Sequence, residues 1–193
     1  VTSGAIVPLA GARFSVTAPT FRAVAASPSD ARAELRFTYL GPTATTRALG
    51  SGALRQQLGL KLRAQDPCNL VYVMWRLDPE QKLVVSVKRN LGERTSRECG
   101  NLGYTNVKPR TSAPLPPVAV NASHVLFAEM SDDVLHVFVD DVSVWEGSLG
   151  RDAAALAGPV GIRTDNVHLE AELAGAPSGS ARPCGAAEAE QGE

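Results

Sequence analysis

Cysteine is scarce, and the three present, Cys68, Cys99 and Cys184, form no C-x-x-C pair, which argues against a zinc ribbon. No apolar run approaches the roughly 20 residues that cross a bilayer as a helix, so no membrane span is expected. There is no G-x-S-x-G elbow to expose a nucleophilic serine, and no glycine-rich phosphate loop at a strand-to-helix junction, so a nucleotide cofactor is not expected. The three histidines are not spaced as a ligand set, although His136 and His168 could converge in space. Helical periodicity is nearly missing too; one helical turn is expected over Arg151 to Leu156. The sequence opens at Val1 without a basic-then-apolar leader, as expected where a signal has been removed or a fragment trimmed.

What is present is period-two alternation. Leu58, Leu60 and Leu62 point one way and Gln57, Gly59, Lys61 and Arg63 the other, which is a strand pattern. Cys68 to Arg76 and Leu83 to Asn90 continue it, with the turn formers Asp78-Pro79-Glu80-Gln81-Lys82 between them, so the three runs read as a meander. Ala33, Leu35, Phe37 and Tyr39 alternate with Glu34, Arg36 and Thr38 in another strand, and Arg13 to Phe21 forms a first one. Val125 to Met130, Val134 to Val139 and Val142 to Glu146 are joined by the acidic turns Asp132-Asp133 and Asp140-Asp141 into a second meander. A closing strand places Val167, Leu169, Ala171 and Leu173 inward and His168, Glu170 and Glu172 outward.

At least eight strands with almost no helix imply an all-β fold, a two-sheet antiparallel sandwich or a barrel. The expected layout is an N-terminal arm over 1–12, one sandwich domain over 13–174 and a disordered tail over 175–193, where small residues, Pro and Glu dominate. Ser27-Pro28-Ser29-Asp30 reads as a turn, Gly41 to Gly52 as a loop long enough to be functional, and Leu91 to Pro117 as a segment wrapping over a sheet. Cys68 opens the second strand of the first meander and Cys99 lies in the loop after the third. A Cys68–Cys99 disulfide pinning that loop is one reading and two buried thiols the other.

Charge is unevenly spread. From Arg47 to Arg110 there are twelve Lys or Arg against five Asp or Glu, although the whole chain carries a net charge of −1. Either the meander forms an anion-attracting surface, or the basic and acidic parts neutralise each other in the folded domain. A nucleic-acid partner is not expected of a chain that is not basic overall.

The run Leu135-His136-Val137-Phe138-Val139-Asp140-Asp141-Val142-Ser143-Val144-Trp145, followed by Gly158-Pro159-Val160-Gly161-Ile162-Arg163-Thr164-Asp165-Asn166 and an alternating strand, resembles the concanavalin A-like lectin/glucanase jelly rolls. There a hairpin with a D-or-N-G turn precedes G-x-x-G-hydrophobic-R; here Asp141 replaces the glycine. The resemblance implies a concanavalin A-like jelly-roll sandwich, a polysaccharide or glycan as partner and a secreted or cell-envelope location, but no activity, since one fold hosts lectins, hydrolases, lyases and structural modules.

The catalytic patterns of those relatives are missing. Retaining glucanases of the superfamily need two carboxylates about 5–5.5 Å apart on a Glu-x-Asp-x-(x)-Glu strand, and this chain has no such strand. Arg55-Gln56-Gln57 echoes an alginate-lyase strand, but no Gln-x-His accompanies it. His168-x-Glu170-x-Glu172 shares one strand face and is read either as an acid pair or metal site, or as a solvated outer face. Asp132-Asp133, Asp140-Asp141 and Asp165-Asn166 offer calcium oxygen donors, or serve as turn formers; no metal site is assigned and no cofactor is expected.

A binding face remains. With Leu58, Leu60, Leu62, Val71, Val73, Trp75, Val85 and Val87 toward the core, the other side presents Lys61, Arg63, Tyr72, Arg76, Lys88 and Asn90, to which the second meander adds His136 and Phe138. Gln57, Met74 and Ser86 complete that face. Cations with aromatic rings and amides suit acidic sugars: rings stack on sugars and forked or point donors hold anions. The primary expectation is a non-catalytic carbohydrate-binding module, taking anionic polysaccharide in its finer form. The alternatives are a glycoside hydrolase or polysaccharide lyase of unfamiliar type, and a structural or protein-interaction domain whose sheet face is covered by the Leu91 to Pro117 segment.

Overall fold

The computed structural model describes residues 1–26 and 31–175; the turn cluster Ser27-Pro28-Ser29-Asp30, the expected tail beyond residue 175 and Cys184 lie outside the described residues. In chain order the elements are β1 (Val7–Pro8), β2 (Phe14–Val16), β3 (Thr20–Val24), β4 (Arg32–Pro42), β5 (Gln56–Asp66), β6 (Asn69–Asp78), β7 (Lys82–Lys88), α1 (Ser96–Cys99), β8 (Tyr104–Val107), β9 (Thr111–Ser112), β10 (Ser123–Ser131), β11 (Val134–Val139), β12 (Val142–Ser148), α2 (Gly150–Ala154), β13 (Gly161–Asp165) and β14 (Val167–Gly175).

These strands make two antiparallel sheets. One has eight strands in the order β1-β2-β14-β4-β10-β11-β12-β9, the other six in the order β3-β13-β5-β6-β7-β8. The result is a jelly-roll-like sandwich whose core lies between the sheets, because each strand turns its apolar alternate residues inward. Leu58, Leu60, Leu62, Val71, Val73, Trp75, Val85 and Val87 enter the core from one side, and Leu35, Phe37, Leu126, Leu135, Val137 and Leu169 from the other. Trp75 is fully buried and meets Phe37 edge-on, with ring centroids 5.8 Å apart. Truncating a leucine from this packing costs about 2–5 kcal/mol.

Three departures from the sequence reading position the site. The run from Arg13 to Phe21 is not one strand: Phe14–Val16 pairs with β14 in the larger sheet, and the chain then crosses so that Thr20–Val24 pairs with β13 in the smaller one. The Leu91 to Pro117 segment does not blanket a sheet; it forms α1, adds β8 to the edge of the six-stranded sheet and β9 to the edge of the eight-stranded one. The second meander, β10 to β12, belongs wholly to the eight-stranded sheet. Asp140 and Asp141 both take left-handed φ, 50° and 67°, as a two-residue hairpin turn with two positive φ angles requires, so aspartates fill a turn usually given to Asn-Gly. No helix among the described residues is long and apolar enough to cross a membrane.

Candidate functional site

The outward face of the six-stranded sheet floors a groove of about 950 Å³. Pairing sets its rows. Arg22 of β3 lies opposite Arg163 of β13, which lies opposite Gly59 of β5, while Lys61 of β5 lies opposite Tyr72 of β6, and Tyr72 opposite Ser86 of β7. Gly59 is required by the crowding of this floor, since a Cβ there would run into the Val73 carbonyl and Met74.

Three cations gather around one carboxylate. Arg22 Nη2 donates to Asp165 Oδ1 at 3.1 Å, while Arg163 Nε at 2.8 Å and Gln57 Nε2 at 2.7 Å donate to Oδ2. Lys61 stands beside them, only 5% exposed, and its ammonium makes no hydrogen bond or ion pair among the described residues. Burial, then the neighbouring Arg22 and Arg163 charges, lower its pKa to about 8, with Asp165 opposing. Burial also works against the Arg163 charge, but Asp165, then Tyr72 and Tyr104, outweigh it and hold that guanidinium above its ordinary pKa.

An aromatic ladder crosses the floor. Arg163 lies over the Tyr72 ring at 5.2 Å, Tyr72 stacks on Tyr104 at 5.9 Å, and Lys88 approaches the Tyr104 ring at 5.1 Å. Burial, then Tyr104, pushes the Tyr72 hydroxyl up to about 12. Tyr104 remains 40% exposed and presents aromatic surface to the groove. At the Asp165 end, Arg55 and Arg76 add two more cations; burial, then Arg55, lowers the Arg76 pKa.

Two loops shape the walls. Asn166, in left-handed backbone with φ 56°, donates to the Arg47 and Arg55 carbonyls, both at 2.9 Å, and accepts from Arg47 N at 2.7 Å, stapling the interior of the β4–β5 loop to its far end. The loop tip then reaches the segment after α1, where a Cβ on Gly50 would collide with the Asn101 amide. That segment is fixed by a Cys68–Cys99 disulfide and by Lys88, which donates to the carbonyls of Pro67 at 3.2 Å and Gly100 at 2.8 Å and to Cys99 Sγ at 3.2 Å.

Of the residues expected on the binding face, Lys61, Tyr72, Arg76 and Lys88 line the groove, but the Lys88 ammonium has all three protons engaged internally. Arg63 is a correction: a register shift in the β5–β6 pairing and a φ of 48° turn it away, and its Nη1 caps α2 at the carbonyls of Ala153 and Ala154. Asn90 is spent on the carbonyls of Cys68 and Leu102. His136 lies on the opposite side of the sandwich, on the eight-stranded sheet, with Nδ1 4.0 Å from Glu146, and Phe138 packs there against Phe127. Sequence reasoning missed Arg22 and Tyr104, read Asp165 only as a calcium donor or turn former, and took Arg163 only as part of a structural pattern.

The other chemical candidates fall elsewhere. Glu170, expected as half of an acid pair, is bound to Arg13 at 2.5 Å on the outer face of the eight-stranded sheet, and Glu172 stands opposite Arg36 there. Three of the turn carboxylates are engaged within the protein: Asp140 holds His124 Nδ1 and Val125 N, Asp133 accepts from Ser148 Oγ, and Asp165 accepts from its three donors.

The sequence matches no family model and no curated protein. Among solved structures, the carbohydrate-binding module CBM66 from Bacillus subtilis superposes with a TM-score of 0.58 at 15% identity, over 88% of this chain and 89% of that one. The chain has a concanavalin A-like fold. The Caenorhabditis elegans galectin LEC-6 superposes with a TM-score of 0.46 at 13% identity, over 84% of this chain and 96% of its own. Xenopus laevis galectin-Ib gives 0.49 at 13% identity, over 80% and 99%. At 15% identity the likeness to CBM66 is one of fold.

Proposed function

We propose that this chain is a non-catalytic carbohydrate-binding module that seats a glycan, preferentially an acidic polysaccharide, in the groove over its six-stranded sheet. The observation that carries the reading is the lining itself: uncovered tyrosine surface beside Gln57, Asn101 and Asn106 amides and a surplus of cations. Aromatic rings take the apolar faces of sugars, amides take their hydroxyls, and guanidinium and ammonium groups take their acidic substituents. The likeness in fold to a module that carries a carbohydrate-binding name supports the same reading.

A hydrolytic role finds no paired acids here. Asp66 is the one carboxylate among the groove-lining residues, and it already accepts from Cys68 N at 2.8 Å and Asn69 Nδ2 at 2.9 Å. Glycoside cleavage needs two carboxylates flanking the bond. The module works in a secreted or cell-envelope compartment, a placement that the Cys68–Cys99 disulfide supports.

The test is an array of neutral and acidic polysaccharides, probed at low and high salt, with product release followed on every hit. Retention that weakens with salt and yields no product supports the module. Product release would make the chain an enzyme, and silence across the array would make it a structural or protein-interaction domain.

A further inference from the structure

Within the groove, one point differs from the rest of the surface. Three cationic side chains, Arg22, Lys61 and Arg163, converge on a single carboxylate, Asp165, whose own side chain is 1% exposed. Asp165 neutralises one charge, so the cluster carries an excess of two. Neither guanidinium makes a second hydrogen bond to a protein acceptor among the described residues, and the Lys61 ammonium makes none. Burial of the side chain strips the ammonium of part of its water without supplying an acceptor in return, which is costly. Its three donors line the groove, where a ligand can reach them.

We propose that Arg22, Lys61 and Arg163 form a subsite for an oxyanion borne on a sugar ring, a carboxylate or a sulfate ester, with the Lys61 ammonium and the uncommitted guanidinium N–H groups as its donors. The position fits such a ring. Tyr72, directly across from Lys61, is stacked on the exposed Tyr104, so a sugar lying over Tyr104 directs a substituent back along the ladder toward Lys61. The subsite deepens the glycan-binding reading and rests on it.

The experiment uses the full chain and matched ligand pairs in calorimetry: oligogalacturonate against its methyl ester, and a sulfated oligosaccharide against its desulfated form. The expected result is at least a tenfold preference for the charged member of one pair, since a charge-assisted hydrogen bond contributes that much or more. The pair that shows it distinguishes carboxylate from sulfate. Lys61→Met, and separately Arg22→Gln at the groove rim, should erase most of the preference of the charged member over its uncharged partner. Equal affinity for charged and uncharged members, or a preference untouched by Lys61→Met, overturns the subsite and leaves the module standing. Absence of binding by the unaltered chain to every charged and neutral sugar alike would remove both the subsite and the glycan-binding reading.

Discussion

Replacing Lys61 with methionine should make the folded protein more stable at neutral pH. In the unfolded chain this lysine titrates near its ordinary value of 10.5; in the fold, burial and then Arg22 and Arg163 bring it to about 8. Between those two values the unfolded state binds more protons than the folded one, so stability rises with pH across the window and is lowest below it. Each pKa unit corresponds to about 1.4 kcal/mol, so carrying the charge at pH 7 costs roughly 3 kcal/mol. Lys61→Met removes that cost and adds apolar contact with Met74 and Tyr72 in the same cluster of side chains. Urea unfolding of the two proteins at pH 6, 7, 8 and 9.5 reads the effect. The variant should lead by roughly 3 kcal/mol at pH 7, and more than half of that lead should vanish by pH 9.5, where the lysine has lost its proton in the folded state but keeps most of it in the unfolded one. A variant that is less stable at pH 7, or a difference that ignores pH, would refute the claim that this ammonium is held uncompensated.

The same titration predicts that affinity for an acidic glycan falls as pH rises through about 8, a loss that calorimetry would detect and that Lys61→Met should not show. Asp165→Asn leaves two arginines without their shared counter-charge and should cost about 3–5 kcal/mol in thermal unfolding. Asn166→Ala removes three hydrogen bonds and places a Cβ-bearing apolar residue at φ 56°, so about 2–3 kcal/mol should be lost and amides of residues 43–55 should exchange faster with solvent. Replacing Cys68 and Cys99 together with alanine opens a loop of 31 residues and should cost about 3–4 kcal/mol in urea unfolding.

Alternation carried most of the fold. It sorts the first meander correctly into core and outer faces, because a side-chain period of two leaves no third option for Leu58, Leu60 and Leu62 against Gln57 and Lys61. The same rule fails at Arg63, where a bulge interrupts the count, and nothing in the local residues announces that bulge. It also cannot say to which sheet a strand belongs. His136 alternates correctly within β11, yet β11 lies in the other layer, on the far side of the core. Arg22 and Arg163 escaped for the complementary reason. Each sits on a short strand of five residues, and they meet only because β13 returns, some 140 residues later, to pair with β3. Tyr104 lay in a stretch too irregular to read as a strand, and its pairing with β7 supplies the order that its own residues lack.

The charge asymmetry of the sequence allowed two outcomes, mutual neutralisation or a basic surface, and the placement of the acids decides between them. Glu34 pairs with Arg36, Glu129 with Arg32 and Glu170 with Arg13, all on the eight-stranded sheet, and Glu146 there draws Arg110 out of the basic stretch. These acids are satisfied on their own side of the sandwich. The core between the sheets keeps them about one sheet-packing distance, roughly 10 Å, or more from the groove floor, at or beyond the screening length of physiological salt. They therefore contribute little to the potential over Lys61. Meanwhile β3 and β13 bring Arg22 and Arg163, from outside the basic stretch, to the same floor and add only Asp165 as counter-charge. Folding thus concentrates the asymmetry instead of cancelling it. A chain of net charge −1 presents a groove whose floor is cationic, and raising salt should weaken its hold on an acidic ligand far more than on a neutral one.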